Sequence, residues 1–572
     1  MNLPLIRRAH APGAGTRLWD PEGVLVLGLL LLLAAGILYP LLQVLSVAVA
    51  GDTGGFTLRH LVAFFRRSLF LESLLNTLAT GFLAVLFGSM VGVPLAFLTV
   101  RHAFPGKAVL QTLGMLPLVI PPFVGAVAFQ QILGRSGMLN LWLLETFGTS
   151  LPLMEGLTGV VLVQTLHYFP FIMVNTAAAL AGVDPSLEEA AQNLGASGFR
   201  LFRRVLLPLA LPGYAAGALI TFIRVIDDLG TPLMLNYTKL LAPQAYLRVT
   251  TVGLTDVDGY VICVILVVLS VLALWGSKAA LGLSEYAALQ RSAEVEPRRL
   301  SGASALAAWL IAAALLGPAL LPHVGIVLLS FSKVWSLSLL PTVYTLGNYE
   351  EILFRTTGFI WNTLRYALLA AAADVALGAA IAWLLLRGSV RGRGWLDVIT
   401  TMPLAIPGVV LAVGYLRMFH GWNFPGLGEP LTATWLILVL AYAMRRLPYT
   451  VRSAYAALQQ LPLALEEAAQ NLGANRLRTF ARVTAPLMAR GLLTGGLIAF
   501  ITSAVELSST ILLVPRIELG PLSYGIYVYM QSAVGRGPGA ALGVVAIVLV
   551  GCGTWLAHRL AARGGAGSLF RL

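Results

Sequence analysis

Charged residues inside long apolar stretches are the part of this sequence whose chemistry is easiest to read. Six of them are the candidates for a functional site, namely Arg224, Asp227, Asp228, Arg445, Arg446 and Glu506. A charge in an apolar segment is costly and usually faces a cavity or an opposite charge. The six therefore predict one of two arrangements: a polar pathway or gate, or ion pairs that cap a helix break and hold the scaffold together. At helical spacing, Arg224 is expected to pair with Asp227 or Asp228.

The sequence carries none of the motifs that would make it an enzyme. There is no HExxH, no GxSxG and no His/Asp cluster to hold a metal or a nucleophile. No phosphate-binding loop occurs, because Gly106-Lys107 is followed by Ala108 and lacks the upstream glycine. Cys263 and Cys552 both lie in apolar runs and predict neither a disulfide nor a thiolate site. We expect no catalytic residue, no metal site and no cofactor bound by this chain.

The composition indicates the kind of element that must position these charges. Of the 572 residues, 58% are hydrophobic and only 11% are charged, whereas a soluble domain carries about 25% charged residues. The formal net charge of +13 could suggest nucleic acid, but in an apolar chain basic residues mark cytoplasmic loops. The sequence therefore predicts an all-α polytopic membrane protein that binds no nucleic acid.

Apolar stretches long enough to cross a bilayer, about 20 residues each, occur twelve times. The predicted spans are 24–49, 73–100, 108–133, 157–181, 209–234, 259–281, 304–332, 359–386, 395–419, 432–457, 487–514 and 538–558. Pro170 and Pro448 are expected to break the fourth and tenth. Lys and Arg are more frequent in the loops on the N-terminal side, which places both termini in the cytoplasm. The first span follows Arg7, Arg8 and Arg17 and is too long for a cleaved signal, so we expect a retained anchor.

The sequence contains an internal repeat that spans most of the chain. Asn76-Thr77-Leu78 returns as Asn362-Thr363-Leu364, Arg101 as Arg387, and the Pro-rich motif 117–121 as 403–407, all 286 positions apart. Residues 187–196 return unchanged as 465–474, now 278 positions apart. At this second offset Asp228 corresponds to Glu506, and Arg445 and Arg446 correspond to His167 and Tyr168. Two six-span halves in the same orientation would leave a pathway between them.

The ten-residue repeat predicts a short helix in a cytoplasmic loop. Asp184 can cap it, Pro185 can be its first residue and Gly195 can end it. Its apolar stripe consists of Leu187, Ala190, Ala191 and Leu194 in the first copy, and of Leu465, Ala468, Ala469 and Leu472 in the second. An Arg- and Phe-bearing segment follows each copy. Such a helix could dock on a duplicated partner or lie on the inner leaflet.

These residues resemble the EAA loop of permeases from binding-protein-dependent ABC importers. The match comprises Glu189-Ala190-Ala191, Gly195 and residues 205–208, and again Glu467-Ala468-Ala469, Gly473 and residues 483–486. In that family the loop is a coupling helix seated on a cytoplasmic ATPase subunit. The resemblance implies two tandem type I permease halves and ten coupling residues: Glu188, Glu189, Ala190, Ala191, Gly195, Glu466, Glu467, Ala468, Ala469 and Gly473.

The resemblance also implies partners that this chain does not contain. They are an ABC ATPase homodimer, which would bind the ATP and Mg, and a periplasmic solute-binding protein, with membrane lipid around the permease in a bacterial inner membrane. The expected organisation is a first half over 1–281, a cytoplasmic linker over 282–303 and a second half over 304–572.

The fusion of two halves is similar to the ferric-iron permease branch, with thiamine and 2-aminoethylphosphonate permeases as close relatives. Residues 227–232 resemble the Asp-Phe-Gly-Thr-Pro stretch of the iron branch, with Leu229 in place of Phe. We therefore expect ferric iron, with thiamine, 2-aminoethylphosphonate or another small solute as alternatives. An ion-coupled secondary transporter that uses Asp227, Asp228 and Glu506 is the alternative from another class.

Overall fold

A computed structural model describes residues 21–562 apart from 52–53, 289–296, 389–391, 422, 424–425, 427 and 532–535. The basic residues Arg7, Arg8 and Arg17 and the middle of the predicted linker lie outside the described residues.

The first repeat begins with a bilayer-length helix and closes with another. Its helices are α1 (Pro21–Leu33), α2 (Tyr39–Ala48), α3 (Arg59–Arg66), α4 (Ser68–Arg101), α5 (Lys107–Met115), α6 (Pro122–Leu133), α7 (Met138–Phe147), α8 (Gly156–Ala181), α9 (Pro185–Asn193), α10 (Gly198–Leu201), α11 (Leu207–Asp227), α12 (Gly230–Met234), α13 (Leu241–Leu247) and α14 (Val257–Ala288). A π-helical turn, Ala34–Leu38, joins α1 to α2, and another, Phe202–Leu206, joins α10 to α11.

The second repeat follows the same order. Its helices are α15 (Ala303–Ser330), α16 (Gly347–Glu350), α17 (Gly358–Arg387), α18 (Arg393–Thr401), α19 (Gly408–Met418), α20 (Leu436–Gln459), α21 (Leu463–Asn471), α22 (Arg476–Thr479), α23 (Ala485–Leu487), α24 (Ala489–Ala504), α25 (Thr510–Leu513), α26 (Leu522–Met530) and α27 (Arg536–Ala562). The α21 helix stands 278 positions after α9, residue for residue. The π-helical turn Phe480–Thr484 repeats Phe202–Leu206 at the same offset.

The predicted all-α polytopic architecture is confirmed, and eleven of the twelve predicted spans have a counterpart among the candidate membrane-crossing helices. Within the described residues, eight helices are long and apolar enough to cross a membrane, or up to eleven if each sharply bent pair counts as one span. The predicted tenth span is the helix α20, which has 24 residues but carries Arg445, Arg446 and Arg452. The predicted fifth span begins earlier than expected, because helix runs from Gly198 to Asp227.

The helix breaks also lie elsewhere than predicted. Pro170 and Pro448 sit inside the continuous helices α8 and α20, as neighbouring helices can satisfy the backbone groups that a proline frees. The chain instead bends by 98° and 110° at the repeated Pro-rich motif, between α5 and α6 and between α18 and α19. A proline has no backbone N–H to donate, and it disfavours the helical conformation in the residue before it. The two prolines of each motif therefore enforce the turn.

Each half packs its first helix against the other half. The α2 helix lies on α19, where the Tyr415 hydroxyl donates to the Gly36 carbonyl at 2.7 Å. The α15 helix lies on α6 in turn, and Gln131 Nε2 donates to the Trp335 carbonyl at 3.0 Å. One buried hydrophobic cluster runs through both halves as a result.

The end of the linker is tied to the first half by a two-stranded parallel sheet. Strand β1 (His102–Ala103) pairs with β2 (Arg298–Arg299), and the Leu300 amide donates to the Ala103 carbonyl at 2.8 Å. Trp309 Nε1 donates to the Pro105 carbonyl at 3.0 Å. The tie follows directly after Arg101, the last residue of α4.

Candidate coupling helices and the charge network between the halves

The first repeated loop helix has both caps that the sequence predicts, and the second shares only the C-terminal one. The Asp184 carboxylate accepts from the Ser186 amide at 2.9 Å, with Pro185 at the first helical position of α9. At the other end Gly195 has φ +84°, and the amides of Gly195 and Ala196 donate to the Gln192 and Ala191 carbonyls. This is a Schellman motif, in which glycine adopts the left-handed conformation at little cost. The second copy repeats it, with Gly473 at φ +87°.

The apolar stripes of these helices are left uncovered by the described residues. Leu194 is 89% exposed and Leu472 is 90% exposed. Leu187 and Leu465, two helical turns earlier, are also exposed. A large apolar side chain this exposed beside small alanines is typical of an interaction site.

The adjacent glutamates of each helix face different surroundings. Glu188 Oε2 lies 2.8 Å from Arg101 Nη1, and Glu466 Oε1 lies 3.2 Å from Arg387 Nε. Glu189 and Glu467, the first residues of the Glu-Ala-Ala triplets, are exposed. In each half the predicted coupling residues therefore divide into a glutamate that is paired with an arginine and a remainder that is exposed or partly exposed.

Four of these six candidate charges form a network across the two halves. Arg445 of α20 donates from Nη2 to Asp227 Oδ2 at 2.9 Å and from Nη1 to Glu506 Oε1. Arg446 pairs with the other oxygen of Glu506. Asp227 Oδ1 also accepts from the Gly408 amide at 2.7 Å. Because Asp227 belongs to the first half and Arg445 and Gly408 to the second, the network joins the halves.

The expected pairing of Arg224 with Asp227 or Asp228 is wrong. Arg224 Nη2 donates to the Tyr449 hydroxyl at 2.7 Å, and its guanidinium lies over the Phe171 ring at 5.9 Å. Asp227 is engaged by Arg445 instead. Residues three and four apart on a helix can pair, but here a partner on the facing helix offers the Arg224 guanidinium an acceptor.

Asp228 and Glu506 occupy equivalent positions and share a structural role. Asp228 Oδ1 accepts from the Thr231 amide at 3.0 Å, and Glu506 Oε1 accepts from the Ser509 amide at 3.2 Å. Each carboxylate thus caps the short helix that follows a break, α12 in one half and α25 in the other. The capping alternative for these two residues is what the contacts show. Gln164 Nε2 donates a further hydrogen bond to Asp228 Oδ2 at 3.1 Å.

The link between the halves has no counterpart on the opposite side of the pseudo-twofold axis. The repeat offsets relate Asp227 to Val505, Gly408 to Pro122 and Arg445 to His167. Valine carries no charge, proline has no amide hydrogen and the imidazole of histidine is no guanidinium. This particular contact is therefore not repeated at the pseudo-symmetric position, although the fold is duplicated.

A small cleft opens beside this link. Arg224, Asp227, Arg445, Arg446 and Tyr449 line it together with the Pro-rich motif 403–407. It is lined by residues of both halves. Among the described residues, no group of three or more His, Cys, Asp or Glu side chains is placed to hold a metal ion.

The sequence did not predict the hydrogen bonds that the repeated Asn-Thr motif forms in each half. The repeated Asn-Thr motif had no assigned role, yet the Thr77 hydroxyl oxygen accepts from the Leu241 amide at 3.0 Å and Thr363 accepts from Leu522. Asn76 and Asn362 bind carbonyls of the same two loops. The duplication of the motif was the signal that could have identified this threonine clamp, which consists of Thr77 bound to Leu241 and Thr363 bound to Leu522.

Comparison with known proteins identifies the architecture. A family model described as a binding-protein-dependent transport system inner membrane component matches residues 84–279 and 374–564, together more than half of the chain. The ferric transport system permease protein of Actinobacillus pleuropneumoniae is 26% identical over 513 residues, which cover 86% of this chain and 71% of that protein.

Two further relatives extend the comparison. A Haemophilus influenzae protein named for ferric transport is 28% identical over 506 residues, which cover 86% of this chain and 77% of that protein. The molybdenum transport system permease protein of Escherichia coli K12 is 33% identical over 208 residues, 36% of this chain and 90% of that protein. The first two relatives thus match along both repeats, and the third is comparable in length to one.

Proposed function

Since this chain belongs to the family of binding-protein-dependent transport system inner membrane components, we propose that it passes ferric iron, delivered by a periplasmic solute-binding protein, into the cytoplasm at the expense of ATP hydrolysed by a separate subunit. It is the permease of an ABC importer with both halves in one polypeptide.

The observation that carries the role of the ATPase is the pair of exposed helices α9 and α21. The ten residues 187–196 recur unchanged as 465–474 and include most of each helix and its C-terminal end, and Leu194 and Leu472 are exposed to nearly the same extent. Two docking segments of identical sequence fit two identical clefts, which favours an ATPase homodimer. The ATP and Mg then belong to that partner. The surface carrying α9 and α21 faces the cytoplasm in this proposal, and both termini lie there.

Ferric iron is the cargo that the relatives favour. Two proteins named for ferric transport are similar along 86% of this chain, whereas the molybdenum permease aligns with about a third of it. Thiamine and 2-aminoethylphosphonate permeases are supported only by their general resemblance to fused permeases. The binding protein that delivers the solute would supply most of the selectivity.

The three carboxylates that an ion-coupled transporter would use are already engaged in other contacts. Asp227 and Glu506 are paired with arginines, and Asp228 caps a helix. Carboxylates that bind a coupling ion must exchange it during transport, which a buried arginine partner opposes. Together with the family membership, these contacts favour an ATP-driven permease.

Uptake in proteoliposomes tests the proposal. The chain is reconstituted with its ATPase, and the binding protein is loaded with radioactive ferric iron or with molybdate in parallel. We expect ATP-dependent iron uptake, lost when Glu189 and Glu467 are both replaced by Ala although the permease still inserts. Iron uptake in the absence of the ATPase would refute the ATP-driven mechanism, and uptake of molybdate alone would refute the iron assignment.

A further inference from the structure

Two arginines that end long helices hold the coupling helices in place. Arg101 is the last residue of α4 and Arg387 the last residue of α17. Both are largely buried, and each forms an ion pair with a coupling helix, Arg101 with Glu188 and Arg387 with Glu466.

Each guanidinium also binds the end of a third helix. Arg101 Nη2 donates to the Leu180 carbonyl at 3.4 Å, and Arg387 Nη2 donates to the Leu458 and Leu461 carbonyls at 3.5 and 2.9 Å. Leu180 and Leu458 lie in the last turns of α8 and α20, where carbonyls have no amide donor four residues further along the helix and the helix dipole favours a positive charge. One arginine in each half therefore joins a long helix, the end of the next long helix and the coupling helix.

The arrangement survives the unequal spacing of the two repeats. The arginines stand 286 positions apart and the glutamates 278, yet each arginine finds its own glutamate. Packing alone would allow either contact to drift between the copies. Its recurrence in both halves indicates that the contact has a role of its own.

We propose that Glu188 and Glu466 are positioning residues, which transmit the movement of the coupling helices to α4 and α17, and that the ATPase is met by Glu189 and Glu467. The idea rests on the proposed function and divides the Glu-Glu pair of each helix into two tasks. The geometry fits this division, because Glu188 and Glu466 point to the arginines while Glu189 and Glu467 are exposed.

Two matched double variants separate the tasks in the full-length chain reconstituted with its ATPase and binding protein. Glu188→Gln with Glu466→Gln should keep the ATPase bound and hydrolysing, while the solute transported per ATP falls about tenfold, a usual size for coupling between sites. Glu189→Gln with Glu467→Gln should instead weaken ATPase binding. Transport per ATP at the wild-type level in the first variant would overturn the proposal.

A second measurement needs no ATPase and follows the helix itself. A spin label at Leu194→Cys, in a Cys552→Ser background, should become more mobile when Glu188 and Glu466 are replaced and should not change when Glu189 and Glu467 are. Equal label mobility in both variants would also overturn the proposal. If the Gln variant fails to fold, Arg101→Lys with Arg387→Lys replaces it, because one ammonium cannot hold carboxylate and carbonyl in the same fork geometry.

Failure of the proposed function would look different. In that case the wild-type chain itself would neither bind the ATPase nor transport at the expense of ATP, whereas the spin label would still report whether the arginine contact holds the helix.

Discussion

Arg445 of the second half donates to Asp227 of the first half across 2.9 Å, and the pseudo-symmetric positions, His167 and Val505, cannot form the same contact. A duplicated permease thus carries here an ionic link between its halves that the pseudo-symmetry does not repeat. Any movement that opens a pathway at this point must break the link or carry both residues together. The cleft beside it is lined by the same two side chains.

Removing one partner of this link should be costly. Arg445→Gln leaves Asp227 and part of Glu506 without a counter-charge in a buried site, which typically costs about 3–5 kcal/mol. We expect a lower midpoint of thermal unfolding in detergent, and a smaller loss when Asp227→Asn is added than the two single effects would sum to. Additive losses would mean that the two residues do not interact energetically.

The exposed pair Arg452–Asp397 provides the matched control. Its side chains are 49% and 43% exposed at a separation of 2.9 Å, and exposed pairs contribute about 0–1 kcal/mol. Arg452→Gln should therefore leave the unfolding midpoint nearly unchanged.

The clamp made by the repeated threonines should matter to stability as well. Thr77→Val together with Thr363→Val deprives the buried amides of Leu241 and Leu522 of their acceptors, a loss of about 1–3 kcal/mol at each site. Differential scanning fluorimetry in detergent would measure it. Thr→Ser at both positions should keep the bonds and the midpoint.

Thr80→Val is the control for the clamp. Thr80 is as buried as Thr77, but its hydroxyl donates only to the Asn76 carbonyl of its own helix. A drop as large for Thr80→Val as for Thr77→Val would show that hydroxyl removal alone, and not the loop amide, sets the cost.

Periodicity and repetition were enough to predict most of the fold. The coupling helix was predicted to its caps, because Asp184, Pro185 and Gly195 act locally, through groups only a few residues away. The long apolar helices were predicted for the same reason. The bends at 117–121 and 403–407 were missed, since the sequence shows a proline but not which neighbour satisfies the freed backbone.

The pairing of charges could not be predicted, because it depends on how helices from the two halves meet. Arg224 and Asp227 are three residues apart and look like a pair, but Tyr449 and Arg445 from the second half bind them. The equivalence of Asp228 and Glu506 did follow from the repeat. Their capping role was one of the two alternatives that the sequence left open.

The tie between the linker and the first half should weaken in acid. Burial lowers the pKa of His102, and the positive charges of Arg298 and Lys107 lower it further. A detached His102 would titrate at about 6.5, so it binds protons more readily than the paired one. The stabilisation is therefore complete above about pH 6.5 and is lost as the pH falls through the lowered pKa.

A spin label at Arg299→Cys, again with Cys552→Ser, measures this effect directly. We expect greater mobility at pH 5.5 than at pH 7.5 in the wild-type background and no such change in His102→Gln. The same pH response in both backgrounds would assign the transition to another group.

The left-handed glycines that end the coupling helices give the sharpest test of local geometry. Gly195 and Gly473 have φ of +84° and +87°, and no atom would contact an added Cβ at either position. Alanine therefore meets only backbone strain, about 1–2 kcal/mol per site, and the helix end should fray. Gly195→Ala with Gly473→Ala should weaken ATPase binding about tenfold in co-purification or surface-binding assays.

Asparagine tolerates this conformation, so the corresponding Asn variant should bind better than the Ala variant although its side chain is larger. Gly28→Ala, inside α1 and equally free of contacts, should have no effect. An Asn variant that binds worse than the Ala variant would show that the space beside the glycines, and not their φ, is what the ATPase requires.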